Sequence, residues 1–193
     1  MSFRSARHAF AKEPRADAPP PRGAADLALV VVAGALSVAE ALLRDDVRWP
    51  LAAIAVGLCT AAALLVRRAH PLPAFIAAFG LATLVDVAAH FAHVPFEGLY
   101  SHAFALVLVH AVFRYGSGRE VLVSGALMSV LFVATLFGDD VQSLGEAVGA
   151  GVVFALPAAI GVTARERARA HTKELQNVRL GERAALAREL HDT

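Results

Sequence analysis

Apolar residues are gathered into six continuous runs, 27–43, 50–66, 72–92, 99–113, 121–137 and 144–163, each bounded by charged or turn residues. The runs are dominated by Ala, Val and Leu and show no alternation of apolar with polar positions. In lipid such runs form helices, because a closed barrel would alternate at period two and an open strand would leave its backbone unpaired. Several sit at or below the short end of the roughly 17–25 residues that cross a bilayer as a helix, so their flanks are expected to contribute to each span. After Thr163 the pattern changes abruptly to ARERARAHTKELQNVRL. That segment lacks proline and is rich in helix formers, which predicts a helix continuous with the sixth run. From Ala164 to Thr193 it would extend about 45 Å at 1.5 Å per residue, weakened locally at Gly181. Leu175, Val178, Ala185 or Leu186, and Leu190 recur at threes, fours and their sums, a thin stripe suited to the seam of a homodimer. Residues 1–25 have no such periodicity. With Pro14, the Pro19-Pro20-Pro21 run and five basic residues they read as a disordered basic tail. The expected fold class is all-α: a polytopic membrane helical bundle of about six spans over 26–163, followed by a cytoplasmic helix over 164–193.

Composition agrees with the pattern. The chain is 57% hydrophobic and 18% charged, outside the usual soluble range of about 45–50% apolar and 25% charged. The net charge of +1 conceals a segregation. With the N-terminal tail inside, all of the 18 Lys and Arg except Arg44 and Arg48 fall on the cytoplasmic side, as the positive-inside rule expects for an even number of spans. Both termini are therefore placed in the cytoplasm. The outer loops carry Asp45, Asp46, Glu97, Asp139 and Asp140, and at 44–49, 93–98 and 138–143 they are too short to fold alone. Any stimulus would have to be read within the bilayer, at its outer surface or through a partner protein. The long polar lead with Glu13 and Asp17 argues against a cleaved signal peptide. Cys59 is the single cysteine, which excludes a disulfide framework and a cysteine-based metal cluster. No P-loop, dinucleotide fingerprint or nucleic-acid-binding signature is present, and Gly116-Ser117-Gly118 reads as a turn between spans.

Polar residues within the runs are the next candidates, since they are expensive in hydrocarbon. Asp86, His90 and His93 fall at i, i+4 and i+7 on one helix face, and Glu97 extends the line. His102 would lie near the same outer end, whereas His110 is too distant to share a site. Such a His-carboxylate cluster would suit a metal or a proton sensor. The competing reading is hydrogen-bonded contact between helices, and no metal is assigned. Glu40 lies near the outer end of the first run and Glu146 near the start of the sixth. The latter falls inside Gly145-x-x-x-Gly149, a pattern that permits close helix approach, and Pro157 and Gly161 farther along suit a hinge.

The most specific chemistry lies at His191-Asp192. A neutral imidazole is a nucleophile, and a nearby carboxylate can fix its tautomer and take up the proton released on attack. The surrounding string, Glu182-Arg183 and then Leu186-Ala187-Arg188-Glu189-Leu190-His191-Asp192, closely resembles the phosphoacceptor box of two-component sensor histidine kinases, in the subfamily of the nitrate sensors and many actinobacterial kinases. The resemblance covers about eleven residues. Ala185 stands where that family commonly has arginine. The resemblance implies a bacterial plasma-membrane homodimer in which His191 takes the γ-phosphate of ATP with Mg2+, assisted by Asp192, and passes it to an aspartate of a response regulator. It also implies that 164–193 is the signalling helix and the start of the dimerisation and phosphoacceptor domain. The ATP site belongs to a downstream domain with Asn- and Gly-rich boxes, which these 193 residues lack, so this chain is expected to be inactive alone. Two other classes compete. A small transporter would explain the spans with Asp86 and His90, and a non-enzymatic membrane scaffold or regulator would use the charged helix as an interaction surface.

Overall fold

The computed structural model describes residues 10–15, 21–94, 98–137 and 143–191. Among these the chain is helical throughout, with no strand. In order it forms α1 (Ala24–Leu43), α2 (Pro50–Val66), α3 (Pro71–Phe91), a 3-10 segment (Tyr100–Ala105) that runs into α4 (Leu106–Tyr115), α5 (Gly118–Phe137) and α6 (Leu144–His191). Each apolar run thus falls on one helix or, for 99–113, on the 3-10 segment and α4 together. Three helices, α1, α3 and the apolar part of α6, are long and apolar enough to cross a bilayer. That marks a membrane protein. α2, at 17 residues, is apolar but shorter.

Local chemistry explains most boundaries. Asp26 Oδ2 accepts the Gly23 amide at 3.1 Å at the start of α1. Pro50 and Pro71 open α2 and α3, where a missing N–H is harmless. Ser117 and Glu120 form a reciprocal capping box on α5, with Ser117 N donating to Glu120 Oε2 at 2.7 Å and Glu120 N to Ser117 Oγ at 3.3 Å. Ser143 Oγ caps α6 through the Glu146 amide at 3.2 Å. α3 ends in a Schellman motif: His93 N donates to His90 O and Val94 N to Ala89 O, both at 3.1 Å, with His93 in the left-handed region at φ 55°.

The interior is built from small residues. Ala33, Ser37, Ala53, Thr60, Ala61, Ala74, Ala78 and Ala89 are buried, while Leu43, Leu51, Leu84 and Leu144 are exposed to 68–82% of their surface. Small side chains let helix backbones approach, and the large apolar ones face outward as they would toward lipid tails. α1 and α2 pack so closely that a methyl group on Gly57 would collide with Ser37. The Ser37 hydroxyl is satisfied within its own helix by Ala33 O at 2.8 Å. A second cluster, Phe75 with Val109 and Val112, gathers Phe79, Phe113, Met128, Phe154 and Ala158 around it and so ties α3, α4, α5 and α6 together.

α6 is one unbroken helix of 48 residues, about 72 Å at 1.5 Å per residue, and passes through Pro157 without a break in assignment. It packs chiefly on α4 and less on its chain neighbour α5. Among the described residues no other helix comes within 4 Å of a Cβ placed on Gly145 or Gly149. Gly161 meets one, against the α4 backbone at His110. The close-approach glycine is therefore the one read as a hinge, and it holds α6 in place.

Residues 10–15 also differ from the reading of 1–25 as a featureless tail. Phe10 opens a helical turn closed by Glu13 N donating to Phe10 O at 3.0 Å, and the segment lies against the turn that leads into α5 and against α6. Ion pairs and backbone hydrogen bonds supply what the absence of apolar periodicity conceals.

Candidate functional site

The phosphoacceptor-like box occupies the last turns of α6. The helix carries its backbone through His191, while the side chain of His191 and all of Asp192 lie outside the described residues. Upstream of it, Lys173 to Arg183 is exposed at every position, including Leu175 and Val178 at 47% and 54% of their surface.

The root of that helix is fixed by charge. Arg165, only 3% exposed, donates from Nη2 to Glu13 Oε2 at 3.3 Å, and Arg169 pairs with both Glu13 and Glu166. Other basic residues gather at the same end of the bundle. Asp26 Oδ1 accepts Arg67 Nη2 at 2.5 Å and Arg68 Nη2 at 2.7 Å. Arg15 makes a two-pronged contact with Glu120, at 2.6 and 3.0 Å, and donates to Ala69 O at 2.9 Å. Burial pushes the Glu120 carboxyl up, but Arg15 together with the Ser117 amide and hydroxyl holds it below its ordinary value. The Glu120 contact raises Arg15 in turn.

At the opposite end Glu40 and Arg44 form a second centre. Glu40 accepts the Tyr100 amide at 2.6 Å, the Ser101 amide at 2.9 Å and Arg44 Nη1 at 2.9 Å. Arg44 also donates to Asp46 and to Gly98 O, and its guanidinium lies 4.6 Å from the Tyr100 ring centre. Bonding to Arg44 holds the Asp46 carboxyl below the ordinary range. Glu40 is thus the anion that satisfies the free N–H groups at the start of the 3-10 segment. The sequence placed Glu40 near this end but not against Tyr100. Only the return of the chain sixty residues later supplies those donors.

The Asp86, His90, His93 and His102 line is not assembled. Asp86 and His90 lie on an exposed face of α3. His93 leaves the helical register because α3 ends at Phe91 and the backbone turns left-handed two residues later. His102 points toward α2, with its Nε2 3.2 Å from Ala53 O. Among the described residues no three His, Cys, Asp or Glu side chains come together as a metal donor set. Glu97 lies outside the described residues. Asp86 and His90 keep their shared face, but His93 would join it only if α3 continued past Ala92.

No family model, curated protein or solved structure matches the chain.

Proposed function

We propose that this chain is the membrane-embedded sensory part of a two-component histidine kinase, with six spans, both termini in the cytoplasm and His191 as the phosphoacceptor. The observation that carries the reading is the single helix α6, which runs without interruption from an apolar segment into the A-R-E-L-H-D box. A rigid helix is the simplest mechanical link between a bilayer and a phosphoacceptor, because a displacement at its root reaches its far end undamped. The placement of Arg15, Arg67, Arg68, Arg165 and Arg169 at one end of the bundle supports the cytoplasmic assignment of that end.

In this reading the neutral His191 imidazole attacks the γ-phosphorus of Mg-bound ATP held by a separate catalytic domain, ADP leaves, and Asp192 receives the ring proton. The phosphoryl group then passes to an aspartate of a response regulator. The exposed Leu175 and Val178 stripe meets a second copy of the helix. The small loops leave the bilayer and its outer surface as the place where the stimulus acts, and the Glu40–Arg44–Tyr100 centre lies at that outer end.

Labelling with γ-phosphate-labelled ATP tests the reading. The protein, together with the catalytic domain, gains acid-labile and base-stable phosphate, and His191→Gln abolishes it. Undiminished labelling in that variant excludes His191 as the acceptor.

A further inference from the structure

We infer that residues 10–15 form a releasable strap that clamps the root of α6 to the bundle, with Glu13 as its latch. The segment touches three separate parts of the molecule at once. Its Arg15 reaches the α2–α3 turn at Ala69 O, 2.9 Å away, and the first turn of α5 at Glu120. Its Glu13 carbonyl accepts the Gly118 amide at 3.0 Å. Its Glu13 carboxylate spans Arg165 and Arg169, one turn apart on α6. The strap therefore joins the helix that carries the phosphoacceptor-like box to the α2–α3 turn and to the turn that leads into α5.

Two details show that the segment is fitted to its seat. Gly118 is required where the strap crosses α5, because a Cβ there would run into the Phe10 carbonyl group. Pro14 follows the latch and fixes the backbone between Glu13 and Arg15, so both side chains are presented from a short, stiff segment.

A third detail shows that the fit is incomplete. Among the described residues Arg165 Nε and Nη1 are buried without an acceptor, although Nη2 reaches Glu13 and the Phe10 ring centre lies 5.9 Å from the guanidinium carbon. Unmet buried donors on a charged group oppose the docked state. Ion pairs hold the strap while that opposition loosens it, which is the balance a reversible contact needs. Docked, the strap ties α6 to the α4–α5 turn. Released, it leaves the root of α6 held by its packing on the helices alone.

The consequence for phosphorylation rests on the phosphoacceptor reading, whereas the strap does not, so the test has two arms. In a Cys59→Ala background that keeps Glu13, Arg165 and Arg169, Lys12→Cys is paired with Thr172→Cys, which lies on the face of α6 that carries both arginines, and, as control, with Leu180→Cys, about 12 Å farther along the helix at 1.5 Å per residue. A reducible bis-methanethiosulfonate linker is applied to the membrane-reconstituted protein. The 12–172 pair is expected to join at least about tenfold faster than the 12–180 pair, and Gly118→Ala, which favours the helix while blocking the seat, to remove that advantage. Equal rates for the two pairs overturn the strap. In the second arm the catalytic domain is present and labelled ATP is added. The linked 12–172 form is expected to label at least about threefold less than the same protein after reduction. Equal labelling overturns the regulatory role. Labelling absent from both forms, with the linkage intact, overturns the phosphoacceptor reading and leaves the strap standing.

Discussion

Gly161 of α6 lies directly on the backbone of His110 in α4: a methyl group at position 161 would sit 2.7 Å from the His110 carbonyl oxygen and 2.9 Å from Phe113 Cβ. Neither atom belongs to a flexible side-chain end, so the helices themselves would have to separate. Gly161→Ala is expected to destabilise the bundle by roughly 1–3 kcal/mol through overpacking, despite the better helix propensity of alanine. Thermal unfolding in detergent checks this. Gly149→Ala, with nothing within 4 Å of its Cβ, serves as the comparison and is expected to be neutral or stabilising.

His93 is held at φ 55° to close the Schellman motif at the end of α3. A side chain in that conformation is unfavourable by roughly 1–2 kcal/mol, and glycine relieves most of it. His93→Gly is expected to raise stability by roughly 0.5–1 kcal/mol, measured by the same unfolding assay. A loss of stability would show instead that the imidazole makes a contact of its own.

Asp26 pairs with both Arg67 and Arg68 where α1 meets the end of α2. Asp26→Asn leaves both guanidinium groups without their carboxylate and removes the anion from the first turn of α1. The expected result is a lower melting temperature, whereas Asp45→Asn, in an exposed loop, leaves it unchanged. Differential scanning of the two variants separates the outcomes.

The Glu120 carboxyl, held below its ordinary value of 4.5, gives a pH dependence with a definite sign. A depressed folded-state pKa stabilises the ionised contact above 4.5 and loses that stabilisation as pH falls through the lower folded value. A polarity-sensitive dye on Ala11→Cys is therefore expected to report a docked segment from pH 8 to pH 5 and progressive exposure below about pH 4. Glu13, Glu166, Arg15, Arg165 and Arg169 face the same segment, so the comparison is with Glu120→Gln. The part of the transition due to Glu120 is absent from that variant.

Much of the helical order was legible in the sequence because each apolar run falls on one helix or, for 99–113, on the 3-10 segment and α4, whereas the boundary signals at Pro50, Pro71 and the Ser117-Glu120 pair are recognised from the structure. Continuity from Leu144 to His191 was legible as well, since no proline follows Pro157 and the charged stretch is made of helix formers. Contacts between distant segments were not. Glu13 and Arg165 are separated by 152 positions, and no periodicity links a pair that meets only after the bundle has assembled. The His90 and His93 spacing misled for a different reason: it assumes a helix that continues, whereas a Schellman motif closed by local backbone hydrogen bonds ends α3 and turns His93 left-handed. The Gly145-x-x-x-Gly149 pattern likewise marks where a close approach is permitted, whereas Gly161 marks where one occurs.

The central claim concerns one nitrogen-bound phosphate at the end of α6, and peptide mapping of the protein purified from its own membranes reads it directly. After brief incubation of those membranes with the catalytic domain, ATP and Mg2+, digestion at neutral to alkaline pH and mass spectrometry, the account predicts a single phosphorylated site in the Glu189–Thr193 region, on His191, lost on mild acid treatment. Phosphate found only on serine, threonine or another histidine, or stable to acid, would contradict it.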